Sequence, residues 1–166
     1  NERQGKSARS TPRLFRAFED PKALSLAPIE AVEELIKTCG LYKAKAKNLK
    51  ATAILLSNNY GGEVPNSMQE LVKLPGVGRK TANVVLGDAF GIPGLTVDTH
   101  LGRVSRRLAL TKQSDAVKVE RDLMSVIPEE RWTVFSHQAI AHGRNLCRAR
   151  SPLCGDCALD GCPSRA

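Results

Sequence analysis

An all-α fold is predicted by three observations on this chain of 166 residues. Apolar residues recur at three- and four-residue spacing in almost every segment, the period of a helix with one buried face. Strand-type alternation is scarce, with only Leu95–Val97 as a strand-like stub. The periodic segments are punctuated by glycine, proline and asparagine clusters that stop helices. Two helical lobes are expected: residues 17–110, containing a central helix-hairpin-helix at 68–90, and residues 111–166, ending in a cysteine-rich loop at 147–162. Residues 1–16 read as a basic tail or the frayed start of a helix.

The elements follow in order. Pro28–Cys39 carries Ile29, Val32, Leu35 and Ile36 on one face, and Gly40 is expected to cap its C-terminus. Lys43–Asn58 reads as the next helix, stopped by Asn58-Asn59 and Gly61-Gly62. Asn66 is placed to cap a short helix reaching Lys73, with Met68, Leu71 and Val72 apolar. Pro75, Gly76 and Gly78 break that helix, and a further one runs from about Arg79 to Ala89. After the Gly91, Pro93 and Gly94 loop, helices are expected from about Asp98 to Leu110, Ser114 to Ile127 and Glu129 to Cys147.

Charge and composition narrow the function. Lysine and arginine number 25 against 17 acidic residues, a net charge of +8, which points to a polyanion such as nucleic acid. A 42% hydrophobic content excludes disorder of the whole chain. No apolar run approaches the ~20 residues of a bilayer span, and residues 1–16 lack the apolar stretch of a secretory signal. Cys147, Cys154, Cys157 and Cys162 crowd together at the C-terminus, whereas Cys39 stands alone as a small core residue. Without a secretory context, the four read as thiolate metal ligands rather than disulfides.

The most informative segment is Leu74-Pro75-Gly76-Val77-Gly78-Arg79-Lys80-Thr81, between two expected helices. Its glycines permit a tight hairpin and close backbone approach to a ligand. The amides opening the following helix lack intrahelical partners, so they suit a phosphate. Arg79 stands where a P-loop needs glycine, and no strand precedes the glycines as a dinucleotide site requires. A plain interhelical turn stays open as the alternative.

Leu74–Ala82, LPGVGRKTA, resembles the helix-hairpin-helix of DNA glycosylases related to endonuclease III. Gly40-Leu41-Tyr42 with Lys45, Ala46 and Asn48, Gly62–Pro65, Val97–His100, and His142–Arg144 followed by Cys147 match that family in order and spacing. The resemblance spans roughly Thr11 to Pro163. It implies a base-excision-repair glycosylase with apurinic-site lyase activity on oxidised pyrimidines in double-stranded DNA, monomeric, cytoplasmic and nucleoid-associated, with no membrane partner. The alternatives are a helix-hairpin-helix binding module without catalysis, and an adenine glycosylase acting opposite oxidised guanine.

By that resemblance Lys80 attacks C1′ of a flipped-out nucleotide and Asp98 assists. The backbone and side chains of Leu74, Gly76, Val77, Gly78, Arg79 and Thr81 are implied to meet DNA. A free lysine titrates near 10.4, and bringing it to about 7.5 needs ~4 kcal/mol. The helix dipole supplies only ~0.3–1 kcal/mol, so desolvation by DNA or proton transfer to Asp98 must supply the rest. A carboxylate there also stabilises positive charge on the sugar. Asp98 has a second reading as an ordinary helix N-cap. His100 and His142 read as structural hydrogen-bonders. Arg103, Arg106 and Arg107 lie off the buried stripe of Leu101, Val104 and Leu108, as DNA contacts or as a solvated face. Lys43, Lys47 and Lys50 fall within about 60° of helical arc, a candidate phosphate-facing stripe.

The cysteine spacing, Cys147-x6-Cys154-x2-Cys157-x4-Cys162, contains one C-x2-C pair where zinc sites usually have two. A four-iron–four-sulfur cubane tolerates the long first gap, and the resemblance implies such a cluster, though the last gap is one residue shorter than the family's usual run. Zinc stays open as the alternative. The cluster's expected role is to order a loop whose Arg148 and Arg150 meet phosphate. Family members also carry an earlier helix and a segment with a gap-filling glutamine. Thr11-Pro12 with Leu14-Phe15 resembles the family's stretch immediately C-terminal to that segment, and Gln4 has no matching context. The expectation is bared apolar surface and weaker base flipping.

Overall fold

The computed structural model describes residues 2–165, with side chains from residue 10 onward. The side chains of Arg3, Gln4, Lys6 and Arg9 lie outside the described residues, as do Asn1 and Ala166. The described residues form helices and loops with no strand, so Leu95–Val97, the strand-like stub, is part of a loop. No described helix is long and apolar enough to cross a membrane. The chain divides into two compact units, 1–78 and 79–166. The division falls inside the helix-hairpin-helix rather than near residue 110, because the helix after Asp98 packs with the C-terminal helices.

The first unit holds α1 (Glu2–Ala17), α2 (Pro21–Leu26), α3 (Ile29–Ile36), α4 (Tyr42–Asn59) and α5 (Met68–Leu71). The segment expected to be a tail is therefore helix α1, which runs through Pro12 and buries Leu14. Helix α2 escaped the periodicity because it is too short to show one. It starts on local chemistry: the Asp20 carboxylate accepts the Ala23 amide at 2.6 Å, and Pro21 occupies the first turn. Leu14, Ala27, Val32, Ile36 and Ala46 form the core. Ala46 and Ala53 face inward on α4, small enough to let α2 and α3 approach its backbone.

Two expected caps are corrected here. Gly40 has no left-handed backbone; the residue that does is Leu41, at φ +58°. Ser67 rather than Asn66 caps α5, accepting the Glu70 amide at 3.3 Å.

The second unit holds α6 (Arg79–Phe90), α7 (Thr99–Arg107), α8 (Ala116–Val126), a 3-10 turn (Glu129–Arg131), α9 (Trp132–Asn145) and a second 3-10 turn (Cys154–Asp156). Its core is Leu95, Leu101, Val104, Val119, Leu123 and Ala139. Helices α7 and α9 touch closely at Gly143, where an added Cβ would lie 3.1 Å from both His100 Cβ and Val104 Cγ2. Any larger residue there must separate the two helices. Buried Ser136 accepts the Thr96 amide at 2.9 Å and donates to the Trp132 carbonyl at 2.8 Å, fixing the segment that leads to Asp98.

Candidate functional site

In the first unit, the Leu74–Gly78 turn is held against α4. The Val77 amide donates to the Leu74 carbonyl at 3.0 Å, and the Thr52 hydroxyl donates to the Pro75 carbonyl at 3.2 Å. Gly76 sits at φ +77°, and a Cβ built on it would lie 2.5 Å from Asn48 Nδ2. Glycine is thus required twice over, by backbone conformation and by contact. Leu74 is buried, so its side chain anchors the turn and is not presented to a ligand. Gly76 and Gly78 are exposed and Val77 is half-buried.

In the second unit, α6 opens with Arg79, Lys80 and Thr81, all exposed. Lys80 lines a cleft of about 520 Å³ together with Asp98, His100, Arg106 and Arg144. Three cationic side chains and one carboxylate face this space, the charge balance of a site for an anionic ligand. Asp98 is also the N-cap of α7: its Oδ1 accepts the amides of His100 and Leu101, both at 2.8 Å. Oδ2 has no hydrogen bond among the described residues. No ion pair joins Lys80 to Asp98 among the described residues, so the two share the cleft without neutralising one another.

Arg79 does something that its motif position did not suggest. Its guanidinium grips Glu120 of α8 in two contacts, Nε to Oε2 at 2.5 Å and Nη2 to Oε1 at 3.0 Å. The Glu120 carboxylate is buried, whereas the Arg79 side chain is 48% exposed. The carboxylate holds the guanidinium charged, above its already high ordinary value. Asn83, one turn along α6, donates through Nδ2 to Glu120 Oε1 at 3.1 Å and to the Leu95 carbonyl at 2.9 Å. Glu120 escaped the sequence reading because charged residues are taken as solvated; its place between buried Val119 and Leu123 was the available signal.

The cysteine loop is organised by α7. Cys147, Cys154, Cys157 and Cys162 all line one cavity, with His142, Leu146 and Leu153. Arg107 donates to Cys147 Sγ at 3.1 Å, to the Arg148 carbonyl at 2.7 Å and to the Ala149 carbonyl at 3.2 Å. Arg103 donates to the carbonyls of Cys147 and Gly143 at 3.1 and 2.7 Å. His142 Nε2 lies 3.9 Å from Cys157 Sγ. Arg103 and Arg107 are therefore half-buried, with their guanidinium groups committed to the cysteine loop and the end of α9. Their spacing of four on α7 put them on one edge, which only the fold connects to the cysteines.

Of the other basic candidates, Lys43 and Lys47 are exposed. Lys50 instead donates to the carbonyl of Ala27, the C-terminal cap of α2, where a cation offsets the helix dipole. Arg148 is exposed, with its Nε on the Asn145 carbonyl at 3.0 Å. Leu41 is 83% exposed and holds left-handed backbone at the start of α4.

These features define an all-α protein with a glycine hairpin, a cationic cleft and a four-cysteine loop, the class built to process nucleic acid. Residues 6–129 match the family model described as HhH-GPD superfamily base excision DNA repair protein. The chain belongs to that family. Among its relatives, endonuclease III of Synechocystis sp. (strain PCC 6803) is 51% identical over 156 residues, covering 93% of this chain and 71% of the relative. Endonuclease III of Bacillus subtilis is 47% identical over 152 residues, covering 91% of this chain and 69% of the relative. A solved structure described as a trapped endonuclease III–DNA covalent intermediate superimposes with a TM-score of 0.88 at 44% identity, covering 93% of this chain and 74% of that one.

Proposed function

We propose that this chain is a bifunctional DNA glycosylase and apurinic-site lyase, acting on oxidised pyrimidines in double-stranded DNA as a base-excision-repair enzyme. The observation that carries the reading is that Lys80 and Asp98 line one cleft in a protein whose relatives are endonucleases III. The covalent protein–DNA adduct named for its structural relative needs a nucleophile, and Lys80 is the lysine of this cleft.

The reaction starts with Lys80 Nζ, as the free amine, attacking C1′ of an extruded nucleotide. The C1′–N bond breaks and the base leaves with the electron pair, taking a proton from solvent. The sugar ring then opens, leaving an imine between Lys80 and C1′. Loss of a C2′ proton expels the 3′ phosphate, which nicks the strand, and water releases Lys80. Asp98 has Oδ1 committed to the α7 cap and works through Oδ2, which stabilises the positive charge developing on the sugar. Gly76, Val77, Gly78 and Thr81 offer backbone to phosphate, and Lys47 and Arg148 add charge.

The four cysteines fit a four-iron–four-sulfur cluster. All line one cavity, and a guanidinium already lies against Cys147 Sγ. Bound there, the cluster would cross-link the C-terminal loop through four thiolates.

Borohydride reduction on a duplex carrying an oxidised thymine tests the reading. The unmutated chain should give a covalent adduct, and Lys80→Gln should give none while still binding an abasic analogue. Adduct at undiminished yield in Lys80→Gln moves the nucleophile elsewhere. No adduct from the unmutated chain favours a binding module.

A further inference from the structure

We propose that Glu120 is a positioning residue for the reaction: through Arg79 and Asn83 it sets both the first turn of α6, which carries Lys80, and the extended segment that delivers Asp98. The inference rests on the roles given to Lys80 and Asp98 above.

The geometry supplies the reason. Helix α6 begins with two cations, Arg79 and Lys80, and no acidic residue in its first turn. Cations at a helix N-terminus oppose the dipole, so this turn is prone to fray or turn away. Glu120 offsets the charge of Arg79 with a two-point contact, which fixes direction as well as distance. A carboxylate buried to 5% exposure must keep its partners, because losing them strands a charge away from water. The same carboxylate accepts from Asn83, whose Nδ2 also binds the Leu95 carbonyl. Leu95 lies three residues before Asp98, and the intervening Thr96 is pinned by Ser136. One buried side chain on α8 is thus hydrogen-bonded to the element bearing the amine and, through one amide, to the segment bearing the carboxylate. Lys80, Arg79, Asn83 and Glu120 line a common small recess, so the network adjoins Lys80.

Positioning of this kind has a kinetic signature. A displacement of about 1 Å at the reacting groups costs up to ~100-fold in rate, with little change in binding of the rest of the duplex. The test is single-turnover base release and borohydride trapping by Glu120→Gln, Arg79→Lys, Arg79→Ala and Lys80→Gln beside the unmutated chain. Glu120→Gln should lower the rate constant ~10- to 100-fold, leaving affinity for an abasic analogue within about twofold. Arg79→Lys keeps the charge and should recover part of the rate that Arg79→Ala loses. The rate constant reads the folded molecules, whereas misfolding lowers only the amplitude. A Glu120→Gln rate constant within twofold of the unmutated chain, with Lys80→Gln inactive, overturns the positioning role alone. Trapping by Lys80→Gln at undiminished yield overturns the site reading and this inference with it.

Discussion

Asp98 Oδ1 accepts the backbone amide of Leu101 at 2.8 Å, and the same oxygen takes the amide of His100. The residue proposed to face a sugar cation is thus also the cap of α7. The two duties sit on different parts of the group and can be separated. Asp98→Asn retains an oxygen for the cap, so the melting temperature should change little, yet base release should fall roughly 100- to 1,000-fold. Asp98→Ala loses both and should cost a further ~1 kcal/mol of stability. Paired melts and single-turnover rates check this; equal stability loss in both variants would contradict the cap assignment.

Salt dependence separates lysines that meet DNA from those that serve the fold. Replacing exposed Lys43 and Lys47 with alanine should make the log–log salt slope shallower by about 0.9 for each phosphate no longer neutralised. Lys50→Ala should leave the slope unchanged and lower the melting temperature, because its ammonium binds the Ala27 carbonyl at the end of α2. Titrations at several salt concentrations read both effects.

The cysteine loop gives a visible signal. Anaerobically purified protein should be yellow-brown from sulfide-to-iron charge transfer, and Cys157→Ser should weaken the colour and the C-terminal loop. Arg107→Met retains most of the side-chain bulk but removes the donors to Cys147 Sγ and to the Arg148 and Ala149 carbonyls. Its colour should bleach faster in air. A colourless protein carrying one zinc per chain would overturn the assignment.

Acid should loosen the join between α4 and α5. The Glu70 carboxyl is held below its ordinary value of 4.5, first by the Lys73 ammonium and then by the Tyr60 hydroxyl at 2.6 Å. A carboxyl depressed by folding contributes stability above its unfolded value, and that contribution is lost as pH falls through the lower folded value. The melting-temperature gap between the unmutated chain and Glu70→Gln should therefore be open at pH 7 and narrow as pH falls below the ordinary value of 4.5. A gap that does not narrow in acid would assign the effect to packing.

At the hairpin, Gly76→Ala should destabilise the first unit by more than the ~1 kcal/mol of a left-handed alanine, because its Cβ also meets Asn48. Asn48→Ala in the same chain should return part of the loss, read by denaturant unfolding.

The helical fold, the hairpin and the cap at Asp98 were legible because each rests on local chemistry. Apolar spacing, glycine position and a carboxylate two residues before an amide are properties of neighbours in the chain. Likewise, the crowding of four cysteines within the loop needed no fold to be seen. What tertiary structure decided is the fate of the charges. Arg79 reads as a DNA contact but holds buried Glu120, 41 residues away; Arg103 and Arg107 read as DNA contacts or a solvated face but organise the cysteine loop; Lys50 reads as part of a phosphate stripe but caps α2. A side-chain charge has no period and no fixed reach in sequence. Its partner is set by which helices pack together and by how much water that packing leaves.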